Sequence, residues 1–209
     1  YNYMVITYYG IACFKVQSSD LTVAFDPPAK GEGLKSPRFR ADVVCVSHNH
    51  NTHNGWKNLN PGFLISGPGE YEVRGMSIQG ISCFQDNSQG KKYGLNTIYI
   101  LDLEGIKLCH LGNFGENKLR DEIKGLLGEI DILFLPIDGK NILTPSDSAA
   151  VCNQIQPRIV IPMHYNSKNL KLFLQELGSE NTKPVEKLSL RKKDLPEEKM
   201  QIVILESHI

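Results

Sequence analysis

Five of the six histidines in this chain stand where side chains could converge on a metal ion. His48, His50 and His53 fall in the run Ser-His-Asn-His-Asn-Thr-His (47–53), His110 ends Lys-Leu-Cys-His, and His164 ends Ile-Pro-Met-His. Only His208 lies outside the set. An extended His-x-His segment presents both rings on one side, because side chains alternate along a strand. His53, three residues on, returns to that side if a helix begins there. Neutral imidazole is a good ligand for zinc and other first-row metals. Taken singly, His110 and His164 read more readily as satisfied or surface histidines than as ligands. Three histidines within six residues at a strand end, however, have no packing rationale.

The elements that must position these rings are legible from local pattern. Met4–Tyr8, Cys13–Gln17 and Leu21–Phe25 read as short strands separated by turns at Gly10 and Ser18–Asp20. Asp26-Pro27-Pro28 stops regular structure, and Ala29–Phe39 is a Gly-, Lys- and Pro-rich loop. Val43–Val46 is a continuous apolar run, the pattern of a strand buried on both faces, and the histidine cluster follows it. Phe63–Ser66, Tyr71–Arg74 and Met76–Ile81 are further strands, and Thr97–Asp102 with Ile106–His110 forms a hairpin around Glu104-Gly105. The texture then alternates: a helix over Asn117–Leu127, a strand over Ile132–Ile137, and a helix opened by Thr144-Pro145 and running to about Gln156. A strand over Ile159–Met163, a helix over Leu170–Leu177 and a strand over Gln201–Leu205 complete the chain. This order predicts one α/β domain over residues 1–209, a mixed sheet or sheet pair covered by helices.

Composition narrows the function. Lys+Arg and Asp+Glu both number 23, so no overall field draws nucleic acid or an anionic membrane. The charge-dense stretch Lys183–Lys199 mixes both signs and reads as a solvated connector. No apolar run is long enough to span a membrane, and no secretory signal pattern opens the sequence. Five scattered cysteines read as reduced core thiols, which implies a cytoplasmic location. The expected partner is a small-molecule substrate or ligand.

The histidines and their flanking motifs resemble the metallo-β-lactamase superfamily, whose loop reads His-x-His-x-Asp-His. They are most similar to its ascorbate-6-phosphate-lactonase-like "metal-dependent hydrolase" branch. The motifs are Gly10-Ile11-Ala12-Cys13-Phe14, Asp26-Pro27, His110-Leu111-Gly112-Asn113, Pro136–Gly139, Thr144-Pro145 and Ile161–Tyr165. The resemblance runs from about Met4 to Asn166. It implies an αβ/βα sandwich, two stacked mixed β-sheets flanked by helices, with a site along one edge. A homo-oligomer is a further implication.

By that resemblance His48, His50 and His110 would hold a first metal, and His53 and His164 a second, together with a loop aspartate and a bridging aspartate. Here Thr52 and Asn113 stand at those two positions, and Ile11 replaces a histidine common in the opening motif. Two dications about 3.5–4 Å apart repel by on the order of 15–20 kcal/mol at an effective dielectric of about 20. Without the two carboxylates a single ion is expected, zinc or manganese, or none. His48, His50 and His110 would hold it, with Asn113 offering only a neutral oxygen. Asp138, where the branch usually has Gly, reads first as a loop carboxylate capping local backbone and otherwise as a partial substitute for the missing proton shuttle, and His53 or His164 would polarise the substrate. Glu70 is another candidate carboxylate, Asp26 a support of the metal loop, and Asp147 a first-turn helix residue. The implied activity is metal-dependent hydrolysis of an ester, lactone or phosphodiester. The alternative is a degenerate member that binds a metal or small ligand without turnover.

Overall fold

The computed structural model describes residues 3–31, 35–139 and 142–208. Two stacked sheets carry the chain. In the first, β1 (Met4–Tyr8), β2 (Phe14–Ser18), β3 (Leu21–Phe25), β4 (Val43–Cys45) and β5 (Phe63–Ile65) lie side by side in that order. The β1–β2–β3 meander is antiparallel, whereas β3, β4 and β5 run parallel, so their C-terminal ends share one edge. The second sheet contains β6 (Gly69–Val73), β7 (Met76–Phe84), β8 (Leu95–Leu103), β9 (Ile106–His110), β10 (Ile132–Pro136) and β11 (Ile159–Met163). It is antiparallel through β9 and parallel from β9 to β11.

Burial explains this layering. In β1 every second residue is buried, the signature of a strand with one face on the core. β10 and β11 are buried throughout, because helices cover their second face. Met4, Ile6, Phe14, Val16, Val23 and Phe25 of the first sheet meet Ile78, Tyr99, Leu101, Leu108, Phe134 and Ile161 of the second in one core. On the far side of the second sheet Leu133, Leu135 and Val160 pack against three helices. These are α1 (Asp121–Leu127), α2 (Pro145–Ile155) and α3 (Ser167–Glu176). The outer face of the first sheet is smaller: Ala24, Ala41, Val44 and Val46 lie under Leu59 and Trp56 of a 3-10 turn. The expected sandwich of two mixed sheets with flanking helices is what forms.

Three elements differ from the sequence reading. The helix expected from Asn117 begins at Asp121, and the Asn117 and Leu119 N–H groups ahead of it donate to Asn87 Oδ1 and Gln154 Oε1. The stretch read as a solvated connector holds β12 (Leu188–Leu190), paired with β1 through Met4↔Leu190. The closing strand shortens to β13 (Gln201–Ile202), on the outer edge of β11. The α2 start is as read: Thr144 Oγ1 accepts from the Asp147 N–H, and Pro145 fills the first turn. All five cysteines are free and buried. Among the described residues no helix is long and apolar enough to cross a membrane.

Candidate metal centre

The histidine loop is anchored by a buried carboxylate. Asp26 follows β3, and its N–H donates to Cys45 O at the end of β4. Its oxygens accept from the Ser47 N–H (2.7 Å) and from the Ser47 hydroxyl (2.6 Å), so the first residue of the loop is pinned twice. Burial pushes the Asp26 carboxyl up to about 7, and the Ser47 bonds oppose that shift. With its proton committed to Asp26, the Ser47 hydroxyl must accept from His48 Nδ1–H, 3.0 Å away. His48 therefore presents an unprotonated Nε2.

The next residues turn tightly rather than entering a helix: the His53 and Asn54 N–H groups both donate to His50 O. This turn brings one ligand atom from each of His48, His50 and His53 within 4.8 Å of one another. Thr52 Oγ1 sits between His50 Nδ1 (2.7 Å) and His53 Nδ1 (2.6 Å). A hydroxyl has one proton, so it accepts from at least one of these rings, which then offers an unprotonated Nε2. His53 is 1% exposed, and its Nε2 has no hydrogen-bond partner. From the other sheet His164 approaches His53 with ring centroids 5.8 Å apart, its backbone held at φ 55° by donation to Ile11 O.

Burial holds His48, His53 and His164 neutral. It pulls His48 down to about 4, with His50 and His164 adding to the effect, and pulls His53 well below the usual histidine range. It also lowers His164, against the pull of Asp138, whose Oδ1 lies 3.9 Å from His164 Nδ1. Neutral rings are the state that ligates a metal. The same shifts fix a pH dependence. An unfolded histidine titrates near 6.5, so each of these rings binds fewer protons folded than unfolded, and its stability contribution is lost as pH falls below about 6.5. The raised Asp26 opposes this, since its contribution is lost as pH rises toward 7. His48, His53, His110 and His164 outnumber it. The melting temperature of the metal-free protein should therefore drop between about pH 7 and pH 5; a flat profile would show that the rings protonate freely in the fold.

His110 does not line the pocket, although Asp26 Oδ2 lies 3.9 Å from its Nδ1 and 4.0 Å from His53 Nε2. It lies at the end of β9, stacked flat on Phe25 with centroids 4.6 Å apart, and is fully buried. Its Nδ1 accepts from the Gly112 N–H (3.1 Å) and its Nε2–H donates to Ala12 O (2.9 Å). Burial lowers it to about 3. Both ring nitrogens are thus engaged, and this geometry does not bring His110 to His48 and His50 as a metal ligand.

Gln85, which the sequence reading passed over, lines the pocket with the open histidines. Its Nε2 donates to Tyr93 O and Leu95 O, both at 2.9 Å, which fixes the amide and leaves Oε1 to accept from Asn113 Nδ2 (3.1 Å). Asn113 is thereby oriented in turn, and its Oδ1 is buried without a partner. Gly112 beside it has φ 56°, and a Cβ there would meet Ser47 Cβ and Asn96 Oδ1 at 2.5 Å, so only glycine lets the two strand ends approach. Glu70 lies exposed in β6, away from the pocket lining.

The result is a pocket of about 330 Å³ with four open imidazoles, Thr52, Gln85 and Asn113 on its wall, and Asp138 as its one carboxylate among the described residues. Two unpartnered buried lone-pair atoms, His53 Nε2 and Asn113 Oδ1, together with neutral imidazoles fit one metal ion. Against the charge of two adjacent dications this lining offers one carboxylate among the described residues.

Comparison with known proteins agrees with this architecture. The profile of the Beta-lactamase superfamily domain matches residues 5–164. A UPF0173 metal-dependent hydrolase of Thermococcus onnurineus is 27% identical over 191 residues, covering 78% of this chain and 84% of that protein. Its counterpart in Lysinibacillus sphaericus is 28% identical over 199 residues, covering 78% and 86%. The solved structure of a proposed Zn-dependent hydrolase of the metallo-beta-lactamase superfamily from Thermotoga maritima is 32% identical. It superposes with a TM-score of 0.79 over 97% of this chain and 98% of that one.

Proposed function

The chain belongs to the metallo-β-lactamase superfamily, and on that premise we propose that it is a metal-dependent hydrolase working with a single zinc or manganese ion on an ester, lactone or phosphodiester. The observation that carries the reading is the packed trio His48, His50 and His53, within reach of one ion, with the buried His53 Nε2 lacking a hydrogen-bond partner. These three would hold the ion, and Asn113 Oδ1 would face it or the substrate. When bound, the ion supplies Lewis acidity, polarising the scissile group and easing deprotonation of water. His164 would orient the substrate's polar group, and Asp138 beside it would take up the released proton. Asp26 acts through Ser47, keeping the His48 lone pair directed to the pocket.

The test is hydrolysis of generic esters, lactones and phosphodiesters by zinc- and manganese-loaded protein, beside His53→Ala. The parent should turn over one class and His53→Ala should lose both metal and activity, with a rate loss of about a hundredfold or more. Metal binding without turnover would instead favour the second reading, a ligand-binding member of the superfamily. That reading has its own support: the Gln85–Asn113 amide pair and Thr52 fill the wall with neutral groups.

A further inference from the structure

A second cleft, of about 700 Å³, shares no lining residue with the histidine pocket and has twice its volume. It opens between Tyr9 and the loop after β3, and Lys30, Lys35, Arg38, Ser36 and Asn58 line it. Among the described residues three cations and no carboxylate line this space, in a chain whose acidic and basic residues are equal in number. Lys30, Lys35 and Arg38, like the other lysines among the described residues, form no ion pair, so their charges are not neutralised by a neighbouring described acid. The lining is therefore net positive among the described residues.

The cleft is framed rather than loose. Asn58 Nδ2 donates to Ser36 Oγ at 2.9 Å, so the Ser36 hydroxyl proton is left to donate elsewhere. Tyr9 packs against Phe39 with ring centroids 5.0 Å apart, and Lys15 Nζ lies over the same Phe39 ring. At its base the Ala29 N–H donates to Asn51 O and the Gly55 N–H to Pro27 O, which stitches the loop to the histidine turn.

We propose that this cleft binds a phosphate-bearing small molecule, with Arg38 gripping the phosphate and Lys30 and Lys35 supplying charge. A guanidinium fork matches phosphate oxygens in a bidentate manner, and ammonium groups add compact point charges. The volume suits a ligand of sugar-phosphate or nucleotide size. A nucleic acid would need a basic track along the surface, and this chain carries equal numbers of acidic and basic residues.

The test is calorimetric titration of the full chain with ribose 5-phosphate and with inorganic phosphate, beside Lys35→Gln/Arg38→Gln and His53→Ala. Both substituted cleft residues are exposed, so the fold should be untouched. Saturable binding should weaken about tenfold or more in the cleft variant and with added salt, since charge-assisted contacts are lost and screened. It should be unchanged in His53→Ala. Absence of saturation, equal affinity in the cleft variant, or loss of binding in His53→Ala would each overturn the proposal. So would a single-stranded oligonucleotide that binds more tightly than ribose 5-phosphate.

Discussion

The double variant Thr52→Asp/Asn113→Asp is expected to bind two metal ions per chain where the parent binds one. Mutual repulsion of adjacent dications, on the order of 15–20 kcal/mol at an effective dielectric of about 20, is what two added carboxylates would offset. Each substitution adds a negative charge where the geometry can use it. Thr52 Oγ1 already lies between His50 and His53, and Asn113 Oδ1 is a buried acceptor with nothing to accept. The second change also has a cost. Asn113 Nδ2 donates to Gln85 Oε1, and a carboxylate there would oppose two oxygens unless the Gln85 amide turns away from Tyr93 O and Leu95 O. Metal-free Asn113→Asp should accordingly lose about 1–3 kcal/mol of stability, recovered on metal addition. Elemental analysis of the dialysed variant decides the matter. Metal content unchanged from the parent would show that the position of Gln85, not charge, excludes the second ion.

Gly55→Ala is expected to be the most damaging small substitution in the histidine loop. Its φ of −89° is ordinary, so the reason is contact rather than backbone strain. A Cβ would fall 2.2 Å from Pro28 O and 2.4 Å from Ala29 N, both backbone atoms of the crossing loop. Relief requires parting the loops joined by the Gly55 N–H to Pro27 O and Ala29 N–H to Asn51 O bonds. Loss of about 3 kcal/mol or more is expected in urea unfolding. Zinc affinity should fall with it, because the turn carrying His50 and His53 is displaced. Gly125→Ala is the control. It lies inside α1, where an added methyl group would find no atom within 4 Å, and should gain up to about 1 kcal/mol in helix propensity. Equal behaviour of the two variants would refute the steric account.

How much of this was legible in sequence depends on what each residue's neighbours reveal. The 48–53 cluster stood out because three polar, metal-binding rings directly follow a wholly apolar strand. The two-sheet layering was legible from period-two strands early and fully buried strands late, as in β1 and β10. His110 was harder. Its place at a strand end is the same as that of His164, but Ile106 and Leu108 share its face of β9 and both pack between the sheets. That alternation directs His110 into the core, whereas Cys109 and Leu111 turn toward the helices. Gln85 was missed because glutamine carries no ligand signature. The only hint was a polar residue abruptly ending the nine-residue strand β7. Its role is set by two backbone carbonyls and a side chain 28 positions away, none of which a local pattern displays.

The most direct test of the account is equilibrium dialysis of the metal-stripped parent chain against zinc, read by elemental analysis. One ion per chain is predicted, retained in His110→Asn, where a folded protein shows that the core tolerates the change, and lost in His53→Ala. Two ions in the parent, or none, or one ion that disappears with His110 but survives the loss of His53, would contradict it.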